Sequence, residues 1–135
     1  INNPPKAIIA KKKQYSLEYV VRSSPGILYE FLTEPSELAL WFADHVDNHN
    51  GNYSFTWEGY TDSLIGFSDE DEYVRYRWDY QAKDEYFEFS IKKSDISQDT
   101  ILTITDFADP KEMKDQQLLW DSQIKSLKKH IGGLG

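Results

Sequence analysis

The chain has 135 residues, a suitable length for one domain with its own hydrophobic core. Its formal net charge of -8 at pH 7 would repel a phosphate backbone, which argues against nucleic acid as a partner. The absence of cysteine excludes disulfides and thiol chemistry, and no apolar run approaches the roughly 20 residues of an integral membrane segment.

The first thirteen residues lack a strong periodic pattern. They contain Pro4, Pro5 and a lysine triplet at positions 11–13. A loosely ordered N-terminal lead-in over residues 1–13 is therefore predicted, followed by a single domain over residues 14–135. The lysine triplet could contact an acidic partner, although short charge runs are usually solvated. Nothing resembles a signal peptide, so a cytoplasmic location is expected.

A strand and two short helices are predicted next. Apolar and polar residues alternate over residues 15–23, as in a half-buried strand. Ser24 and Pro25 are of the types favoured at the N-cap and the first position of a helix, and Pro35 must end that helix. A second short helix is predicted from Ser36.

Short alternating runs separated by turn residues follow from position 46 onward, a texture typical of an antiparallel meander. About five strands fit, with centres in residues 53–57, 60–67, 73–80, 87–91 and 101–107.

The last stretch, residues 109–133, predicts a long amphipathic helix. Its apolar stripe recurs at steps of three and four and comprises Met113, Gln116, Trp120, Ile124, Leu127 and Ile131. Asp109 is a suitable N-cap and Pro110 a suitable first residue, while Gly132 and Gly133 can end the helix. About 22 residues would span roughly 33 Å. The fold class is therefore α+β, with the order β-α-α-β5-α and about six strands.

Three parts of the chain resemble a known family. They are SPGILYEFLTEPSELALWFAD, NGNYSFTWEGY with YVRYRWDY, and DTILTITDFAD with LLWDSQIKSLKKHI. They are similar to the START-like (SRPBCC, helix-grip) superfamily, in the branch of the heat-shock ATPase activator homologues and polyketide cyclases. The resemblance covers about residues 15–131 and implies a curved antiparallel sheet that grips a long C-terminal helix. Its shared positions are mainly structural: Pro25, Trp41, Gly51, Trp78 and Trp120.

Aromatic residues make up 15% of the chain and would suit the lining of a cavity between the sheet and the C-terminal helix. The predicted ligand-binding residues are Trp41, Tyr53, Phe55, Trp57, Tyr76, Trp78, Phe87, Phe89, Trp120 and Ile124. For any single one of them, plain packed core is the default interpretation, because apolar stripes usually belong to the core.

Metal-ligating and catalytic patterns are weak. His45, Asp47 and His49 would project to one side of an extended segment, but such a stretch is more often a polar loop. We find no glycine-rich phosphate loop and no nucleophile elbow. No metal site, cofactor or catalytic residue is therefore predicted, and the patterns favour a protein that is not an enzyme.

The expected function is non-catalytic binding of a hydrophobic small molecule or lipid beneath the C-terminal helix. Two alternatives follow from the resemblance. One is a protein-interaction module similar to chaperone ATPase activators, which would use its outer surface and charged positions such as 11–13. The other is a cyclase-like enzyme, which would need a polar group with a perturbed pKa deep in the cavity. The sequence does not specify the ligand, the protein partner or the oligomeric state.

Overall fold

The computed structural model describes residues 12–58, 60–69, 72–78 and 85–131. Ten elements follow one another in this part of the chain: β1 (Lys13–Val21), α1 (Pro25–Thr33), α2 (Pro35–Trp41), β2 (His45–His49), β3 (Asn52–Trp57), β4 (Tyr60–Asp69), β5 (Tyr73–Trp78), β6 (Phe87–Lys93), β7 (Thr100–Ala108) and α3 (Met113–His130). The predicted α+β helix-grip class is confirmed. Residues 1–11 lie outside the described residues, so the lead-in and the single-domain boundary stay predictions.

The described strands form one antiparallel sheet of seven strands in the order β1-β7-β6-β5-β4-β3-β2. β1 pairs with β7 along its whole length, from Lys13 opposite Ala108 to Val21 opposite Thr100. The first and last strands of the chain are therefore neighbours, while β2 forms the opposite edge.

β2 is the strand that the sequence analysis did not predict. Residues 45–49 were expected to form a polar loop, but they pair with β3 in a hairpin. Asn50 and Gly51 connect the two strands and both have positive φ, at 55° and 89°. Asn-Gly is a strong hairpin signal because both residues tolerate this conformation. The turn therefore determines the extra strand, and the polar side chains reflect its edge position.

The helix α1 begins where the local residues predict, and α2 begins at Pro35, one residue before the predicted start at Ser36. Ser24 Oγ accepts a hydrogen bond from Ile27 N at 3.3 Å, which makes Ser24 the N-cap of α1. Glu34 N donates to Glu30 O at 2.9 Å and closes the last turn of α1, and Pro35 begins α2. Leu28, a fully buried residue of α1, shows that this short helix belongs to the core.

The helix α3 begins later than predicted. Asp109 Oδ1 accepts from Lys111 N at 2.9 Å, and Asp109 O accepts from Glu112 N at 2.8 Å. Asp109 therefore caps a turn, and the helix starts at Met113 with no side-chain cap at Glu112. Its 18 residues span about 27 Å, which is shorter than expected. Gly132 and Gly133 lie outside the described residues.

Candidate functional site

The inner face of β7 carries one ionisable side chain. Leu102, Ile104, Asp106 and Ala108 follow one another at steps of two and therefore share one face of β7. The three apolar members of this row are buried. Asp106 is paired with Tyr15 of β1, which is also on the inner face. The carboxyl group of Asp106 therefore faces α3.

Three N–H groups bind the Asp106 carboxylate. Oδ2 accepts from Trp120 Nε1 at 2.9 Å and from Gln116 Nε2 at 2.8 Å, and Oδ1 accepts from Phe107 N at 2.8 Å. Burial raises the pKa of the Asp106 carboxyl group, while the donated hydrogen bonds oppose that rise. Among the described residues, no Lys, Arg or His forms an ion pair with Asp106.

The side-chain amide nitrogen of Gln116 contacts three acceptors but carries only two hydrogens. Its Nε2 atom lies 2.8 Å from Tyr15 Oη and 3.0 Å from Phe107 O, in addition to its contact with Asp106. An amide nitrogen has only two hydrogens. Burial, and then the negative charge of Asp106, raise the pKa of Tyr15 to about 12, so Tyr15 is neutral at pH 7. We call Tyr15, Asp106, Gln116 and Trp120 the Asp106 cluster.

The ring of Trp120 extends from this cluster into a second group of side chains. It stacks on Phe42 at a centroid distance of 6.1 Å and meets Phe89 edge-on at 5.7 Å. Further ring contacts connect α2, β3, β5 and β6, and we call the whole group the ring cluster: Trp41, Phe42, Tyr53, Phe55, Trp57, Tyr76, Phe87, Phe89 and Trp120.

Most of the predicted ligand-binding residues are thus brought together. Nine of the ten are described: Ile124 is buried in the same core, and the remaining eight belong to the ring cluster. The side chain of Trp78 lies outside the described part of the structure. Their proximity agrees with both a cavity lining and a packed core, so ligand contact stays a prediction.

The polar atoms of three of these aromatic residues bind the end of α1. The last three carbonyl groups of this helix, at residues 31–33, have no intrahelical donors. Each accepts a hydrogen bond from a different element: Phe31 O from Trp41 Nε1 (2.9 Å), Leu32 O from Tyr76 Oη (2.6 Å) and Thr33 O from Tyr53 Oη (2.9 Å). These residues therefore offer a ligand their ring surfaces, because their polar atoms already serve the fold.

Sequence reasoning missed Asp106 and Phe42. The period of two from Leu102 through Ile104 was sufficient to place Asp106 on the inner face of β7. Phe42 directly follows the last residue of α2, and its ring contacts Phe55 at 5.1 Å. The spacing of Leu38, Trp41 and Phe42 places all three on one side of this segment, although Phe42 was not predicted to bind a ligand.

The candidate metal ligands lie at the edge of the sheet. His45, Asp47 and His49 alternate with the half-buried Val46 along β2, so they project to the outer face. Successive residues on one face of a strand are roughly 7 Å apart, too far to share one ion without a bend. Among the residues that the structure describes, no group of three or more His, Asp or Glu side chains could hold a metal ion.

The fold and the inward-facing aromatic residues define a helix-grip domain with a polar cluster beneath its C-terminal helix. The START-like superfamily domain matches residues 9–133, and the chain belongs to that family. This confirms the resemblance inferred from the sequence. No curated protein matches the chain. In the described part of the chain, no helix has the length and apolar character needed to cross a membrane.

Several solved structures are similar. A Bacteroides fragilis protein is 30% identical, with 89% of this chain and 91% of that chain covered and a TM-score of 0.65. The Aha1 dimer from Colwellia psychrerythraea is 15% identical, with 91% and 99% covered and a TM-score of 0.76. CalU16 from Micromonospora echinospora is 15% identical, with 92% and 77% covered and a TM-score of 0.70. The latter two likenesses concern the fold alone.

Proposed function

We propose that this domain binds a hydrophobic small molecule or lipid between the sheet and α3, without catalysing a reaction. The observation that carries the proposal is the ring cluster, which extends from β3, β5 and β6 to Trp120 of α3. Flat, polarisable rings suit an apolar ligand because they give large contact areas with few degrees of freedom. Membership of the START-like superfamily supports this reading.

Ligand exchange would require a covering element to move. α1 is held to the sheet by the hydrogen bonds from Tyr53 and Tyr76 and to α2 by the bond from Trp41, and α3 is held by the Asp106 cluster. The C-terminal half of α3 contributes the buried apolar residues Ile124 and Leu127. We propose that the ligand lies beside this apolar half, away from the hydrogen bonds that hold the helix.

Native mass spectrometry of the purified protein tests the proposal, with solvent extraction of any adduct. The protein is also challenged with fatty acids, sterols and polyketides. We expect an adduct that denaturation releases and that Phe89→Leu weakens. Ile96→Ser is the control because Ile96 is 97% exposed on a turn. A mass that stays unchanged after every challenge would contradict ligand binding.

A protein-interaction module, similar to chaperone ATPase activators, is the second candidate. Leu118 and Leu119 on the outer face of α3 are 57% and 60% exposed, which is unusual for neighbouring large apolar residues. The similar protein from Colwellia psychrerythraea was solved as a dimer. This reading predicts that the double change Leu118→Ser and Leu119→Ser abolishes stimulation of a heat-shock ATPase and leaves the melting temperature unchanged. A cytoplasmic location also stays a prediction.

A further inference from the structure

We propose that two copies of this chain pair edge to edge through β2, and that divalent cations bound by histidines of both copies hold the pair together. The pairing is independent of a ligand beneath α3, because β2 lies at the edge of the described sheet. It concerns binding only, and no covalent step is involved.

The backbone of β2 has hydrogen-bonding groups that no described strand satisfies. β2 is the last strand of the described sheet and pairs with β3 on one side. His49 and Asn52 flank the two-residue turn and therefore exchange both of their backbone hydrogen bonds. Because hydrogen-bonded pairs alternate along an antiparallel ladder, the N–H and C=O groups of Val46 and Asn48 point away from β3. This edge therefore offers two donors and two acceptors to another strand.

The residue types of β2 do little to protect this edge. Natural sheets often keep an edge strand apart from others with lysine or proline, and the sequence HVDNH contains neither. The opposite edge strand, β1, begins with Lys13. With histidine neutral, Asp47 is the single charged residue of β2, and it would repel a second copy, as would the net charge of -8. A cation at the interface offsets both repulsions.

One register satisfies the open edge in full. When Val46 lies opposite Asn48 of the partner, two-fold symmetry places Asn48 opposite the partner's Val46, and each pair exchanges two hydrogen bonds. His45 then lies opposite His49 of the partner, and Asp47 lies opposite the partner's Asp47. These three residues are exposed in the single chain, so no packed side chain has to be displaced.

The same register brings histidines of the two copies into metal-binding distance. His45 and His49 of one copy are roughly 13 Å apart along the strand and cannot share an ion. His45 and His49 of the partner would form a non-hydrogen-bonded pair, whose Cβ atoms are about 4.5–5.5 Å apart. Two imidazole rings at this distance can both bind one Zn²⁺, for which nitrogen is a preferred ligand. Symmetry gives two such ions per dimer, on either side of the Asp47 pair, whose charges they offset.

Sedimentation velocity of the full chain, purified without a histidine tag, tests the pairing. We expect a monomer in EDTA and a dimer in excess ZnCl₂. Native mass spectrometry of the same sample should find two Zn²⁺ ions per dimer. A monomer in both solutions would overturn the proposal. A dimer that is equally stable in EDTA would also overturn it, because the cation would then be unnecessary.

Single changes at the histidines should remove both metal sites at once. In His45→Ala or His49→Ala, each cross-strand pair keeps one histidine, so we expect a monomer in ZnCl₂. His130→Ala is the matched control, because His130 is exposed on α3 and its ring contacts Ser126 O of the same helix. This control should still form the dimer. Its failure to do so, or a dimer of either β2 variant, would contradict the proposed site.

Mixing the two β2 variants tests the register. A dimer of one His45→Ala chain and one His49→Ala chain retains one intact histidine pair beside a pair of alanines. We expect the mixture in ZnCl₂ to regain dimers that carry one Zn²⁺, which neither variant forms alone. A site within one copy, or a pair in another register, would gain nothing from mixing. Absence of dimers in the mixture, when the wild-type protein forms them, would overturn the proposed pairing.

Discussion

Trp120 combines two roles in one side chain. Its ring is 6% exposed and packs against Phe42, Phe87 and Phe89, while its Nε1 atom donates to Asp106. The first role is shared with any large aromatic residue, whereas the second needs an N–H group at one position. Substitutions can therefore separate the packing contribution from the hydrogen bond.

Truncation of Trp120 tests the packing role. Trp120→Ala should lower the free energy of unfolding by about 3–5 kcal/mol if the ring is packed core. A smaller loss, together with weaker ligand binding, is expected if the ring lines a cavity. Urea unfolding followed by circular dichroism measures the first quantity, and calorimetry with dodecanol measures the second. A large stability loss with unchanged dodecanol binding would contradict a ligand-lining role.

Trp120→Phe tests the hydrogen bond. It keeps an aromatic ring but leaves Asp106 Oδ2 without one of its donors, so we expect a loss of about 1–3 kcal/mol. The loss should fall in an Asp106→Leu background, where no acceptor is left unpaired. A double-mutant cycle from urea midpoints measures this coupling. Equal losses in both backgrounds would mean that the bond adds nothing to stability.

At the scale of elements, the end of α1 depends on side chains from other parts of the fold. The helix has no basic residue in its last turn, so no cation of its own offsets the partial negative charge there. Tyr53, Tyr76 and Trp41 supply the missing donors from β3, β5 and α2. Side chains from α2, β3 and β5 thus all donate hydrogen bonds to the C-terminal end of α1, and we call these three bonds the α1 anchor.

Tyr76→Phe tests this anchor. Tyr76 is fully buried, so its removal leaves Leu32 O without a partner and should cost about 1–3 kcal/mol in the free energy of unfolding. Tyr19→Phe is the matched control, because Tyr19 Oη donates to the exposed Asp121 and its loss should cost about 1 kcal/mol or less. Chemical denaturation measures both. Equal losses in the free energy of unfolding would show that burial does not determine how much the hydrogen bond contributes to stability.

The predictability of each element follows from how local its signals are. Ser24, Pro25 and Pro35 define α1 through neighbouring residues, so the sequence predicted its limits. The true start of α3 depends on whether Asp109 caps a helix or a turn, and both begin with the same residue types. The anchoring of α1 by Tyr53 and Tyr76 was not predictable, because it depends on which strands lie beneath the helix.

For the whole molecule, several buried tyrosines make stability sensitive to alkaline pH. Burial raises the pKa of Tyr53, of Tyr76 and, to about 12, of Tyr15 above the ordinary value near 10. The unfolded chain therefore loses these protons first. Their stabilising contribution is fully present below about pH 10 and is lost as the pH rises through the folded pKa values.

We expect the urea concentration at the midpoint of unfolding to fall steeply between about pH 10 and pH 12. The double variant Tyr53→Phe and Tyr76→Phe should show a smaller fall, because two of the ionising groups are absent. Absorbance of tyrosinate, recorded on the same samples, should rise together with unfolding. Identical slopes for the variant and the wild-type protein would show that these two residues do not control alkaline stability.

The overall architecture was predictable because two signals indicate the same fold. These signals are the periods of the apolar residues and the three segments that resemble the START-like superfamily. The candidate site was predictable as a set of inward-facing rings, and the period of two also places Asp106 on the inner face of β7. The hydrogen bonds of Asp106 to Gln116 and Trp120 were not predictable, because they depend on where α3 crosses the sheet. Which rings would touch a ligand depends on packing between distant elements, which no local pattern records.

The pairing of β1 with β7 has a consequence for synthesis. Hairpins such as β2–β3 join neighbouring residues and can form as the chain leaves the ribosome, whereas β1 has β7 as its neighbour in the described sheet. Contacts between distant residues form slowly, and an unpaired strand is open to wrong pairing. The nascent chain therefore carries β1 without its strand partner until β7 has emerged, and closing the sheet and docking α3 are late events.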